Sequence, residues 1–254
     1  MMATLNDFSP IETRTFRSRF QEELRGCAHL QEAAQKCARI IYEEFQESIV
    51  LARVFATLSF RDLPSRDKEF ITNLANLKRI ASLLGDKTPV LSLLGTYGAR
   101  SEWNNRYNSQ GHLGIPLVTA SFVDSIPMVS RLMSDMGIGL DWFDEWEPHL
   151  LVKSFGRTTG VFYVRDAKTR VDQQNRKIVS VQDFVAAEDI RTVFGLGGSY
   201  LNGSFLTMII FTRETVEQPQ AERFMSLVNT FKIATMSLVM KGAIFTDGST
   251  VPQR

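Results

Sequence analysis

The pattern of apolar positions predicts a β-hairpin in the second half of the chain, over residues 192–212. Two runs rich in Val, Phe, Leu, Ile and Met flank the tetrapeptide 201–204. Asn202 and Gly203 within it favour a type I′ turn, because that turn needs two consecutive residues with positive φ.

The strands of this hairpin carry two further signals. The return strand, 205–211, is apolar at almost every position, so we expect both faces of the sheet to be covered. Gly195, Gly197 and Gly198 in the outgoing strand indicate a bulge, a bend, or a close approach by another backbone or a ligand.

Helical periodicity marks both ends of the chain. Apolar residues at helical spacing predict one long N-terminal helix over 13–46, whose Ala-rich middle would let another helix approach closely. A second helix is predicted over 219–244, and its broad apolar surface indicates two packing partners. We therefore predict a single domain over 1–254, with a core over 48–213 between these helices.

The predicted core contains both strands and helices. Period-two alternation over 48–60 predicts a strand with one dry face, because apolar side chains alternate there with a mixed set. Ser65 is the expected N-cap of a helix that ends at Gly85. The other expected elements are a strand over 89–97, a short strand over 117–122, a helix over 124–136, and strand fragments over 150–155 and 160–164.

Composition and charge exclude several classes of protein. The 254 residues are 44% apolar and 22% charged, as in ordinary globular domains, and a net charge of +1 does not favour nucleic acid or anionic membranes. No window reaches the roughly 20 apolar residues of a membrane span. The N-terminus also lacks a secretion signal. We expect a cytoplasmic protein with no nucleic-acid or membrane partner.

Catalytic motifs are missing from the sequence. It contains no G-x-S-x-G, H-E-x-x-H, Walker loop or C-x-x-C. The glycine-rich run 194–198 precedes a hairpin turn, whereas a phosphate loop precedes a helix. Cys27 and Cys37 lie in one predicted helix, about 15 Å apart, which is too far for a disulfide. We therefore predict that the protein is not an enzyme.

One acidic segment could in principle hold a hard cation. Its carboxylates are Asp141, Asp144, Glu145 and Glu147. They lack the order of an EF-hand loop and alternate with aromatic residues, so a solvated acidic surface is the favoured interpretation and we predict no metal site.

Residues 98–116 interrupt the periodic pattern with a long polar segment, and loops of this length are often functional. Two interpretations remain open. The segment could be held together by its own side-chain hydrogen bonds, or it could form the polar wall of a pocket. In the second case Arg106 binds an anion, the amides orient the guest, and Trp103 or Tyr107 stacks on it. The candidate ligand-binding residues are Trp103, Asn104, Arg106, Tyr107, His112 and Gly197.

Short segments spread over most of 16–245 resemble the GAF-like sensory domains of bacterial signalling proteins, the type found N-terminal to sensor histidine kinases. The matching segments include LGT at 94–96, EWNNR at 102–106, SQGH at 109–112, IPL at 115–117, FYVRDA at 162–167 and VFGLGG at 193–198. The resemblance implies an α+β, GAF-like (profilin-like) fold with a central antiparallel sheet and helices on both faces. It also implies a ligand cavity on one face and dimerisation through the terminal helices.

We therefore hypothesise a non-catalytic, small-molecule-sensing domain. It would bind its ligand between the sheet and residues 98–116 and form a homodimer through the helices at 13–46 and 219–244. Few residues follow 244, so we expect a separate signalling protein to carry the output. The alternatives are an interaction module without a ligand, and a thiol-based redox enzyme, which would need a reactive cysteine. The sequence names neither the ligand nor a cofactor.

Overall fold

The computed structural model describes residues 4–109, 112–144 and 159–246 of the chain. Its centre is an antiparallel sheet formed by β1 (Ile49–Ser59), β2 (Pro89–Gly98), β3 (Gly114–Pro116), β4 (Thr159–Val164), β5 (Thr192–Ser199) and β6 (Phe205–Thr212). The spatial order is β3-β2-β1-β6-β5-β4, and every neighbouring pair is antiparallel. All of these strands lie within the predicted core, 48–213.

Helices cover the sheet on both sides. They are α1 (Pro10–Leu24), α2 (Leu30–Glu44), α3 (Ser65–Leu77), α4 (Ala120–Asp124), α5 (Pro127–Asp135), α6 (Gln182–Ala187), α7 (Gln218–Arg223) and α8 (Met225–Met240). One apolar cluster joins the sheet to α1, α2 and α8, and we call this side the terminal-helix face. A second cluster joins the sheet to α4, α5 and α6, and we call that side the inner-helix face. The predicted α+β fold, with a central antiparallel sheet and helices on both faces, is confirmed.

The N-terminal helix predicted over 13–46 is two helices, α1 and α2. Gly26, with φ +78°, lies in the turn between them, and a left-handed glycine is a common way to end a helix. The backbone N–H of Leu30 donates to the Ala243 carbonyl at 2.9 Å, so the end of the described chain packs against this break. Cys27 lies in the same turn and therefore not in a helix, unlike the prediction over 13–46. Cys27 and Cys37 are both free thiols.

Several other boundaries differ from the predictions. The helix predicted over 219–244 is α7 followed by α8, which meet at Phe224. The short strand predicted over 117–122 is wrong, because β3 ends at Pro116 and α4 begins at Ala120. The helix predicted over 124–136 corresponds to α5. The strand predicted over 150–155 lies outside the described residues.

β1 and α3 bury faces that the periodicity did not identify. β1 is buried on both sides, so the prediction of a single dry face is wrong. In α3 the N-cap is Pro64 rather than Ser65, and the buried positions are Asp67, Ile71 and Ala75. Leu77, an apolar residue at the end of α3, is 82% exposed.

The predicted hairpin is confirmed as β5 and β6, but its turn is not type I′. Among the turn residues only Gly203 has positive φ, at +83°, whereas a type I′ turn would also need it at Asn202. The Gly203 N–H donates to the Tyr200 carbonyl at 3.0 Å, and the Tyr200 N–H donates to the Ser204 carbonyl at 2.8 Å. The connection is therefore a longer loop with one left-handed glycine.

The Ala-rich part of α2 admits a strand rather than a second helix. A Cβ built on Gly95 of β2 would lie 2.2 Å from the Ala34 carbonyl oxygen. Ala33, Ala34 and Ala38 are fully buried at this contact face. Small residues on both elements therefore set the distance between α2 and the sheet.

Candidate ligand-binding face

Arg106, the predicted anion-binding residue, is buried and has internal partners. Its Nε donates to the Leu93 carbonyl at 2.6 Å, and its guanidinium pairs with both carboxylate oxygens of Asp67 on α3. Burial raises the pKa of Asp67, while the hydrogen bond from Arg106 acts in the opposite direction. The ion pair therefore joins the 98–116 segment to α3.

The neighbouring candidates also make internal contacts. Asn104 Oδ1 accepts from the Gly98 N–H at 2.9 Å, which caps the end of β2. The Tyr107 ring lies 4.1 Å from the guanidinium carbon of Arg66 and 4.7 Å from that of Arg106. His112 is half-buried. The side chains of this part of the segment are thus engaged with the segment itself, with β2 and with α3.

Trp103 and Gly197 belong to the inner-helix face. The Trp103 ring packs on Phe184 of α6 at a centroid distance of 5.5 Å, and Phe184 packs on Phe211 at 5.6 Å. A Cβ on Gly197 would lie 2.5 Å from Phe205 Cζ. Gly197 is therefore required by the packing of the chain on itself.

The six predicted residues do not surround one common cavity in the described part of the chain. A surface cavity of about 530 Å³ is lined by residues 85–88 with Val118 and Phe143. Another, of about 280 Å³, lies between α5 and residues 172–178. Neither is lined by any of the six, and their role in ligand binding stays a prediction.

Sequence reasoning missed a polar group at the centre of the inner-helix face. Arg53 lies in the middle of β1, between Leu51 and Phe55, which both belong to the apolar cluster of this face. Thr96 on β2 lies directly opposite Arg53. Thr207 on β6 lies opposite Phe55, one diagonal step from Arg53. We call Arg53, Thr96 and Thr207 the Arg53 cluster.

The Arg53 cluster contains polar atoms without partners. Arg53 Nε, Thr96 Oγ1 and Thr207 Oγ1 are buried and form no hydrogen bond. Within the described residues no carboxylate pairs with Arg53, and burial lowers its pKa to about 10. The guanidinium therefore stays protonated at neutral pH, next to two unsatisfied hydroxyl groups. Because buried polar groups normally have partners, this cluster needs an explanation.

Gly195, beside this cluster, could carry a Cβ in ordinary van der Waals contact. Gly195 on β5 lies opposite Ile209, the residue that pairs with Arg53. The atoms nearest to a Cβ built there belong to Phe162 and the Met208 carbonyl, both in the sheet, at 3.4–3.5 Å. No atom of the inner helices comes closer, so this position is less crowded than Gly197.

The Arg53 cluster is connected to the opposite face through Gln35 of α2. Gln35 Nε2 donates to the Thr96 carbonyl at 2.8 Å, and the Thr96 N–H donates to Gln35 Oε1 at 3.1 Å. β2 has an irregular register at this place, between Val54 and Phe55 of β1. Thr96 thus presents its hydroxyl to one layer and its backbone to the other.

The sequence did contain a signal for the cluster. Arg53 is a charged residue inside an otherwise apolar strand, and it was assigned to a mixed, solvated face. A strand covered on both sides leaves such a charge only partly exposed. Recognising β1 as a central strand would therefore have identified Arg53 as a candidate.

The thiols and carboxylates do not form an active centre in the described ranges. Burial raises the pKa of Cys37 well above its usual value and also raises the pKa of Cys27, which disfavours the reactive thiolate. No cluster of metal-ligating side chains occurs among the residues described. Asp141 and Asp144 are exposed there, while Glu145 and Glu147 lie outside the described residues.

Comparisons with known proteins give only distant similarities. The sequence matches no family model and no curated protein. The phycocyanobilin-bound GAF domain of a cyanobacterial phytochrome is similar at 11% identity and TM-score 0.47, over 90% of this chain and 96% of that one. The N-acylhomoserine-lactone-dependent LuxR-family transcription factor CepR2 from Burkholderia cenocepacia is similar at 13% identity and TM-score 0.43, over 89% and 98%. None of the described helices is long and apolar enough to span a bilayer.

Proposed function

We propose that this chain is a non-catalytic sensory domain that binds a small molecule on its inner-helix face, over the Arg53 cluster. The observation that carries this proposal is the group of three adjacent buried polar atoms without partners. Leaving such atoms unsatisfied costs about 1–3 kcal/mol each, so a guest that satisfied them would gain binding energy. Trp103 belongs to residues 98–116 and borders the same face. At this edge the proposed site therefore lies beside residues 98–116, as the sequence predicts.

The proposed signal passes from Thr96 to α2. A ligand that bonds the Thr96 hydroxyl would restrain the backbone that Gln35 holds on the other face. α2 lies against Gly95 with little free space, so a shift of β2 changes the position of the helix. We propose that α1, α2 and α8 transmit this shift to a second copy of the chain, and that the dimer then acts on a separate cytoplasmic partner.

A thermal-shift screen against a library of small metabolites tests the proposal. We expect at least one compound to raise the Tm of the wild-type protein and to lose this effect in Thr207→Val and in Gly195→Leu. Thr215→Val is the matched control, because Thr215 is exposed on a loop. If no compound stabilises the protein, or if every hit stabilises the Thr207 and Gly195 variants equally, the proposed site is wrong.

The second candidate function is an interaction module without a ligand. It is favoured by the packing of the 98–116 segment, in which Arg106 and Asn104 are already bonded to the chain itself. The same screen separates the two functions, because an interaction module has no small-molecule hits that depend on the Arg53 cluster.

A further inference from the structure

We propose that the Arg53 guanidinium binds the carboxylate of a small monocarboxylic acid whose remaining part is apolar. This inference rests on the proposed function and specifies the ligand class for the same site. It uses residues of β1, β2 and β6 that the sequence pattern did not select.

The charge of Arg53 requires an anionic guest. A water molecule or a neutral guest can satisfy the hydroxyls of Thr96 and Thr207, but it leaves the positive charge uncompensated. Arg53 is the only charged side chain that the described strands place on the inner-helix face, so the sheet supplies no counter-charge. Arg53 is half-buried, and its Nε is enclosed without a partner, so part of this charge lies out of water and a bound anion would compensate it.

The number of charges favours a carboxylate over a phosphate. A carboxylate neutralises one guanidinium completely, whereas a phosphate monoester carries about −1.5 to −2 at neutral pH and would leave an excess negative charge. The planar guanidinium also matches the two oxygens of a carboxylate in a bidentate pair. The hydroxyls of Thr96 and Thr207 can donate to the outward lone pairs of the same group.

The surroundings of the Arg53 cluster favour an apolar remainder. Phe55, Leu93 and Ile209 occupy the adjacent positions on the same face and are buried. The Trp103–Phe184 pair lies at one edge. A guest with several hydroxyl groups would find few partners in this environment, because the neighbouring side chains are hydrocarbon.

Matched pairs of small compounds provide the test. The probes are hexanoate, benzoate and phenylacetate, each compared with its neutral amide, together with phenyl phosphate as the dianionic probe. Binding is followed by chemical-shift titration of ¹⁵N-labelled protein, which detects weak complexes. We expect at least one carboxylate to bind, and both its amide and phenyl phosphate to bind about tenfold more weakly or worse, because a charge-assisted pair is lost or left unbalanced.

Variants connect the binding to Arg53. Arg53→Met should abolish carboxylate binding, while the double variant Thr96→Val/Thr207→Val should weaken it by about tenfold and gives a second test should Arg53→Met fail to fold. Arg165→Met is the matched control, because Arg165 is exposed and pairs with Glu217.

The outcomes are distinguishable. The inference is overturned if no carboxylate binds, if acid and amide bind equally, if phenyl phosphate is preferred, or if Arg53→Met binds as wild type does. A neutral compound that binds and is lost in Thr207→Val would also overturn it, but would leave the proposed sensory function intact. Carboxylate binding that is lost in Arg53→Met, weakened in the double threonine variant and unchanged in Arg165→Met supports both.

Discussion

At the scale of single residues, Arg53 is the one charged side chain within the described strands. Its Nε is buried without a partner, and burial lowers its pKa. In the ligand-free protein the charge should therefore oppose folding. We expect Arg53→Met to raise the free energy of unfolding by about 1–3 kcal/mol, measured by urea denaturation without ligand.

The exposed Arg165 provides the control for this prediction. Arg165→Met should leave the stability almost unchanged, as is usual for surface substitutions. A loss of stability in Arg53→Met would show that the guanidinium is already well compensated in the folded chain. The combination of increased stability and lost binding is typical of a residue retained for function.

Asp67 and Arg106 illustrate the opposite case, a buried charge with its partner. Both side chains are almost fully buried, and the pair connects α3 to the segment after β2. Asp67→Ala should lower the free energy of unfolding by about 3–5 kcal/mol, because it leaves Arg106 uncompensated. The double variant Asp67→Leu/Arg106→Met should lose clearly less, as measured by chemical denaturation.

The exposed pair of Arg165 and Glu217 is again the matched comparison. Glu217→Ala should cost less than about 1 kcal/mol, because solvent screens that pair. An equally small effect of Asp67→Ala would contradict the prediction. It would mean that the buried pair does not hold residues 98–116 in place, and that these residues are free to move as the wall of a ligand pocket.

Tyr200 predicts how stability depends on alkaline pH. Burial raises the pKa of Tyr200 above its usual value, opposed by its hydrogen bond to Thr235 at 2.7 Å. A raised folded-state pKa contributes stability that is fully present below the unfolded value of about 10 and is lost as pH rises above it. The stability of wild type relative to Tyr200→Phe should therefore fall above about pH 10, measured by denaturation at several pH values. A constant difference across this range would contradict the prediction.

At the scale of elements, the contact between α2 and β2 depends on the absence of a side chain. A Cβ on Gly95 would collide with the Ala34 carbonyl, which belongs to the backbone of the helix and cannot rotate away. We expect Gly95→Ala to lower the free energy of unfolding by about 2 kcal/mol or more, because overpacking forces the two elements apart. The measurement is thermal or urea unfolding.

Gly85→Ala is a matched control for this substitution. Gly85 has no atom within 4 Å of a built Cβ, and its φ is not in the left-handed region. We expect that variant to change stability by about 0.5 kcal/mol or less. Similar losses in the two variants would mean that the effect comes from glycine itself and not from the helix contact.

The elements that could be predicted were those with a strong local pattern. β1, β2 and the β5–β6 hairpin are long runs of apolar and β-branched residues, and they lie close to their expected positions. The break at Gly26 and the switch from strand to helix after Pro116 depend on contacts with distant parts of the chain. Such contacts override local propensity, and periodicity alone does not contain them.

The same limit explains the candidate site. The polarity of residues 98–116 can be read from the sequence. The partner of Arg106 cannot, because Asp67 lies 39 positions away in the chain. Arg53 was visible too, but its burial depends on β6 pairing along its second edge. Local patterns therefore identified the polar residues, and only the pairing of strands decided which of them lacked partners.

At the scale of the whole molecule, the sheet separates the inner helices, where we propose that the guest binds, from a layer of terminal helices. The Arg53 cluster lies on one side, while α2 contacts the other side through Ala34 and Gln35. In the proposed sensor, the guest and the responding helices would contact the same strand from opposite sides. β2 is that strand here.

The terminal-helix layer also has an exposed apolar edge on α8. Ile233 and Met240 are 70% and 60% exposed, and they are seven residues apart, which places them on one side of the helix.

We expect the chain to form a homodimer that buries this edge, measured by light scattering coupled to size-exclusion chromatography. Ile233→Glu should shift the protein to a monomer, because an unpaired carboxylate would be buried at the interface. Val181→Glu is the matched control, since Val181 is 50% exposed and directly precedes α6 on the opposite, inner-helix face of the sheet. A wild-type monomer, or a dimer that persists in Ile233→Glu, would contradict this prediction. The proposed ligand signal would then leave the domain by a surface other than α8.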